Sequence, residues 1–309
     1  MQDEATPDEQ LRAGQADARV SAQAPARLRL GYSPCPNDTF IFYALAHGLV
    51  NDGRQPEVSF DIRLEDVETL NRAADQGELD VAKVSYHAYG YLTDRFVMLR
   101  AGGALGSGVG PLIVTRDPLT DLAGRRIAIP GGRTTANLLL RLSQPAAELV
   151  ELRYDRIMPA VAAGEVDAGL IIHESRFTYP EHGLRCFLDL GAWWERTTGA
   201  LVPLGGIVAR RDLGDDVLHR LQAMLRSSLV YAWEDPTRTH PYVAANAQEM
   251  DPSVRQRHID LYVNGYSMDV GADGERAAAL LLGRAAEQGL FRPWREPLFL
   301  DAGDRPPGA

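Results

Sequence analysis

Lysine is nearly missing from this 309-residue chain. Of 32 basic residues, 31 are arginine, and the single lysine is Lys83. An ammonium is compact and its ionisation responds readily to burial, so where a guanidinium has replaced it everywhere else, the one that remains deserves a task or is chance. Cysteine is scarce too. Cys35 and Cys186 form neither a disulfide framework nor a metal pair by spacing. No apolar run approaches the roughly 18–20 residues that span a membrane, so no membrane partner is expected. Excess positive charge is absent: 32 basic against 42 acidic residues give −10. That argues against nucleic acid as a partner and leaves room for an anionic small molecule in a locally positive cleft. Residues 1–26 lack the apolar segment of an export signal, so a disordered tail and a cytoplasmic location are expected, with a second tail at 301–309. What is present is a globular composition, 45% hydrophobic and 24% charged, with length for two domains or one large one.

Short apolar alternations interleave with helical segments. Strands are expected at 28–32, 58–64, 81–84, 97–100, 112–115, 125–130, 150–153, 168–172 and 206–210. Helices are expected at 39–47, capped by Asn37 or Asp38, at 67–74, at 135–142, at 156–163 and through most of the chain after 215. This order means an α/β fold with a largely parallel sheet. Gly-rich or Pro-rich crossings at 101–110 and 203–206 divide it into a discontinuous lobe one (27–110 plus 206–300) and a lobe two (111–205). An internal echo supports the division. Gly77-Glu-Leu-Asp80 leads into Val81–Ser85, and Gly164-Glu-Val-Asp167 leads into Ala168–His173. Two such lobes face one another across a cleft, where ligands collect at the carboxyl ends of strands.

Polar groups gather at those ends. Ser33, Asn37, Asp38 and Thr39 surround a helix start that suits an anion, although ordinary capping explains them as well. Gly131–Thr135 is the matching element of lobe two, with neither a dinucleotide fingerprint nor a P-loop. Lys83 and Ser85 end an apolar strand, so the ammonium either emerges toward the cleft to hold a carboxylate or sits on a sheet edge. His173 ends the run Ala168–Ile172 and is placed as a general base; a hydrogen-bonded interior histidine is the alternative. His47, His87, His182, His219, His240 and His258 have less to recommend them. None forms a spaced metal cluster, so no metal is expected. Cys35, between two prolines, reads more naturally as a small buried residue than as a nucleophile.

Ser33–Phe42 (Ser-Pro-Cys-Pro-Asn-Asp-Thr-Phe-Ile-Phe), Glu65–Asn71, Gly102–Gly106, Gly169–Tyr179 (Gly-Leu-Ile-Ile-His-Glu-Ser-Arg-Phe-Thr-Tyr) and Arg210–Gly214 form an ordered set of segments. Together they resemble the 1,4-dihydroxy-6-naphthoate synthase family of the futalosine route to menaquinone. The match runs in order over about 27–300. The resemblance implies the two-lobed type II fold of periplasmic solute-binding proteins, used as a lyase on cyclic dehypoxanthine futalosine, a small-molecule carboxylate. It implies His173 as proton acceptor, Lys83, Val84 and Ser85 as the lobe-one substrate segment, and Thr135 and Ala136, with Thr134 and Asn137, as the lobe-two segment. No cofactor is implied. Chorismate dehydratase of the same pathway and a non-catalytic solute-binding protein are the competing readings, and monomer and homodimer both stay open.

Overall fold

The computed structural model describes residues 26–50, 58–144, 146–291 and 294–302. Most of both expected tails, 1–25 and 303–309, lies outside them. The first half runs β1 (Ala26–Tyr32), α1 (Pro36–Ala46), β2 (Val58–Leu64), α2 (Val67–Asp75), β3 (Val81–Ser85), α3 (Tyr86–Leu92), β4 (Phe96–Met98) and β5 (Ala104–Gly106). The middle runs β6 (Leu112–Thr115), β7 (Arg126–Ile129), α4 (Thr135–Ser143), β8 (Glu148–Glu151), α5 (Tyr154–Ala163), β9 (Ala168–Ile171), α6 (Ser175–Thr178), β10 (Arg185–Asp189) and α7 (Leu190–Thr198). The chain then returns through β11 (Val202–Arg210) to α8 (Asp215–Glu234), α9 (His240–Asn246), α10 (Pro252–Tyr262), α11 (Gly265–Met268) and α12 (Gly271–Glu287).

The strands make two sheets. One has the order β2-β1-β3-β11-β4 with β5 also on β11; the other has the order β10-β6-β9-β7-β8. Both are mixed, which corrects the expectation of a largely parallel sheet. β11 runs antiparallel to β3, β4 and β5, and β6 runs antiparallel to β9 and β10. Periodicity reports that a strand exists but carries no sign for its direction. β11 pairs with the first sheet from Val202 onward, so the return begins ahead of the expected residue 206.

Two parallel sets supply the strand ends that matter: β2-β1-β3 in one sheet and β8-β7-β9 in the other. Each is closed by the same turn. α2 and α5 both stop at a glycine with φ +75°, Gly77 and Gly164, a conformation that glycine adopts without a Cβ penalty. Asp80 then exchanges hydrogen bonds with the backbone of Arg29 in β1, and Asp167 does the same with Arg126 in β7, all at 2.9–3.0 Å. The sequence echo is therefore an echo of hydrogen bonding.

The apolar interior has three parts. β1, α1 and α8 enclose one around Leu30, Phe42 and Leu225. β6, β9 and α5 enclose a second around Val114 and Val161. The third runs between the sheets, joining Leu70 and Tyr89 to Leu139, Trp194 and Leu281. This shared core ties the two halves along one side and leaves the opposite strand ends to form a cleft. No helix among the described residues is long and apolar enough to cross a membrane.

Candidate active site

The cleft is a cavity enclosing about 680 Å³ of atom-free space, its mouth included. Its walls come from the loop after β1 (Ser33, Asn37, Asp38), the start of α2 (Val67) and the end of β3 (Lys83, Val84, Ser85). They also come from the start of α4 (Thr134, Thr135, Ala136), the end of β9 (Ile172, His173), β11 (Leu204, Gly205) and α10 (His258, Tyr262). Most of the residues singled out from sequence meet here, although they are scattered over a hundred positions. The halves are drawn together beside it. Glu68 of α2 accepts from the Arg133 amide at 3.1 Å, Asn71 donates to the Arg133 carbonyl at 3.4 Å, and Arg133 pairs with Asp75 at 2.5 Å.

The first wall differs from expectation. Cys35, not Asn37 or Asp38, is the N-cap of α1, because Pro36 sits at the first helical position, where a missing N–H costs nothing. Asp38 is consequently inside the first turn, and its buried carboxylate takes Lys83 Nζ at 2.9 Å, Ser33 Oγ at 2.7 Å and Asn37 Nδ2 at 2.9 Å. Lys83 also donates to the Gly102 carbonyl at 2.7 Å. The free ammonium expected in the cleft is therefore a buried ion pair, with one N–H left over. Thr39 is turned away from the cavity and bonds back to the Cys35 and Pro36 carbonyls, so it serves the helix and not the site.

Ser85 Oγ accepts from Asn71 at 3.3 Å, which leaves its own proton available. Thr134 caps α4 by accepting from the Asn137 amide at 3.1 Å. The amides of Thr135 and Ala136 are thus left as donors that no intrahelical carbonyl can reach. Thr135 Oγ1 donates to Leu204 O at 2.7 Å. Asn137 is a correction: its side-chain Nδ2 donates to Gly132 O at 2.7 Å and it is not part of the cavity wall.

His173 has φ +56°, the one left-handed residue other than glycine among the described residues. Such a backbone costs on the order of 1 kcal/mol and persists where the surroundings impose it. Its ring is half-buried, edge-on to Tyr154 at 5.5 Å, and Nδ1 lies 3.4 Å from Cys35 Sγ. Burial pushes the imidazolium down to about 4, opposed by the carboxylates of Asp38 and Asp66. Burial pushes the Cys35 thiol well up, with Glu174 adding to it. The buried Glu174 carboxyl rises to about 7 for the same reason. The ligand atoms of Cys35, His173 and Glu174 lie within 4.8 Å of one another. Spacing alone gave no metal cluster; folding assembles one candidate group from distant residues. Its burial favours the neutral thiol and carboxyl, whereas a cation needs the charged forms.

His258 and Tyr262 line the cavity without having been singled out as cleft residues. They are one helical turn apart, so they share a face of α10, a signal too common in helices to identify a site.

Residues 28–287 match the family described as menaquinone biosynthesis. The chain belongs to that family. A protein from Thermus thermophilus named 1,4-dihydroxy-6-naphtoate synthase is 55% identical over 273 residues, covering 88% of this chain and 99% of its own. A protein of the same name from Streptomyces coelicolor is 49% identical over 269 residues, covering 85% and 94%. In architecture the menaquinone-biosynthesis chain is similar to the alkanesulfonate-binding protein SsuA of Xanthomonas axonopodis. The TM-score is 0.67 at 19% identity, over 88% of this chain and 96% of that one. The fold is therefore the two-lobed α/β type of solute-binding proteins, with a cleft between lobes.

Proposed function

We propose that this chain is a 1,4-dihydroxy-6-naphthoate synthase, a lyase that splits cyclic dehypoxanthine futalosine into the bicyclic naphthoate and the former ribose carbons, working in the cytoplasm. The observation that carries the reading is the left-handed His173, ring at the cavity and Nδ1 against Cys35. With its pKa near 4 the ring is neutral at neutral pH and carries one proton. Placing that proton on Nδ1, toward the neutral sulfur, leaves a lone pair on Nε2 for the substrate. Nε2 then takes a proton from a sugar hydroxyl or an acidic carbon, and Asp38 and Asp66 stabilise the imidazolium that forms.

The substrate carboxylate is held by Ser85 Oγ and by the Thr135 and Ala136 amides, where the dipole of α4 favours negative charge. Lys83 contributes through its remaining N–H while neutralising Asp38. Val84 and Thr134 shape the wall, and Ser33 and Asn37 hold Asp38 in place. Incubation of the purified chain with cyclic dehypoxanthine futalosine is expected to release 1,4-dihydroxy-6-naphthoate, with kcat/KM flat from neutral pH down to about 4–5. Dehydration of chorismate instead, or binding without turnover, overturns the reading.

A further inference from the structure

His258 stands on α10, 1% exposed, at the cavity wall. Its proton is fixed by a chain of partners. The Asp38 carboxylate only accepts, and it takes Lys83 Nζ and Asn37 Nδ2, each at 2.9 Å. The Asn37 amide is thereby oriented, with its nitrogen to Asp38 and its oxygen to His258. Nε2 of His258, 2.8 Å from that oxygen, must donate. Burial, helped by the neighbouring His173, pushes the charged form of His258 far down, so the ring has only this one proton. Nδ1 keeps its lone pair and is buried with no hydrogen-bond partner among the described residues. Folded proteins rarely leave a buried acceptor unmatched without a reason.

We infer that Nδ1 of His258 accepts a hydrogen bond from a hydroxyl of the bound ligand, making His258 a substrate-positioning residue beside the base. The inference rests on the reading of His173 as base. The two rings lie 6.2 Å apart between centroids with 29° between planes, so the hydroxyl held by one neighbours the group deprotonated by the other. A carboxylate oxygen offers no proton to Nδ1. This end of the cavity therefore takes the hydroxylated part of the substrate and turns the acid group toward Ser85 and the start of α4. Binding of His258 to Asn37 also links the hydroxyl grip to the Lys83–Asp38 pair in one continuous buried chain.

The test uses the full chain with ¹⁵N-labelled histidine. In His173→Ala, which holds cyclic dehypoxanthine futalosine without consuming it, saturation is expected to move the His258 Nδ1 resonance toward its hydrogen-bonded position; an unmoved resonance in saturated protein overturns the inference. In kinetics, His258→Gln keeps both an amide nitrogen for Asn37 and an oxygen for the hydroxyl, so its KM stays near that of the parent. His258→Phe raises KM about tenfold or more, with a smaller fall in kcat. A parent-like KM in His258→Phe overturns the inference, and should that variant not fold, the resonance decides. A parent chain that turns the substrate over while Nδ1 stays silent loses this inference alone; a parent inert toward the substrate loses the proposed function with it.

Discussion

The two halves of the molecule build the same turn and finish it differently. Gly77 and Gly164 share one backbone angle, and Asp80 and Asp167 share one pattern of hydrogen bonds to the neighbouring strand. Beyond the turn, β3 stays extended through Lys83 and Ser85, and its cation is matched within its own lobe by Asp38. β9 stops at Ile171, and His173 bends into the left-handed region with its ring toward the cavity. The repeated portion obeys local rules that any turn from a helix into a parallel strand must satisfy. The halves differ where the repeat ends, and that difference puts a paired cation in one wall and a left-handed histidine in the other.

The comparison is broken most severely at His173. His173→Ala is expected to lower kcat by about 10²–10⁴-fold while leaving substrate binding largely in place, as single-turnover and binding assays will report. His173→Gly should be equally inactive yet about 1 kcal/mol more stable than His173→Ala, because only alanine retains the left-handed strain. Equal thermal midpoints for the two would mean the backbone relaxes. In the opposing half, Lys83→Ala strands a buried Asp38 carboxylate and should cost about 3–5 kcal/mol in denaturant unfolding. The double change Lys83→Met with Asp38→Asn should recover much of that loss.

The shared turn gives the smallest effects and the finest test. Asp80 is held by the Arg29 guanidinium first, then by the Arg29 amide and by Arg210, and its pKa is lowered. Asp167 has the Arg126 amide and a longer contact to Arg125. Asp80→Ala is therefore expected to cost about 1.5–3 kcal/mol and Asp167→Ala about 1. A group whose folded pKa is lowered adds stability above its unfolded pKa near 3.9 and loses it as pH falls through the folded value. Acid titration of unfolding should thus show a steeper loss for the parent than for Asp80→Ala below about pH 4. Equal slopes would assign the Asp80 effect to geometry alone.

Much of this was legible in the residues, because the signals were local. The helices expected at 67–74 and 135–142 are present at Val67–Asp75 and Thr135–Ser143, capped by Asp66 and Thr134. The alternation in 58–64 and the turn glycines needed no tertiary information. The failures have a common cause. Whether β6 and β11 run up or down, and that Asp38 faces Lys83 across 45 residues, are decided by topology and by partners distant in sequence. The strand β10 and the helix α7 escape a reading by periodicity because exposed Arg185 and Cys186 spoil the apolar period. Asn137 and Thr39 carried the right chemistry one helical face away from the cavity. His258 belongs to no motif, and what sets it apart is an unmatched nitrogen on a residue of the cavity wall.

The burial of the lone ammonium has a practical corollary. A lysine-directed protease finds a single internal cleavage point in the entire polypeptide, and it is 5% exposed in the folded state. Each scission therefore records one opening of the cleft wall and leaves two fragments of fixed size, so a gel becomes a clock for that opening.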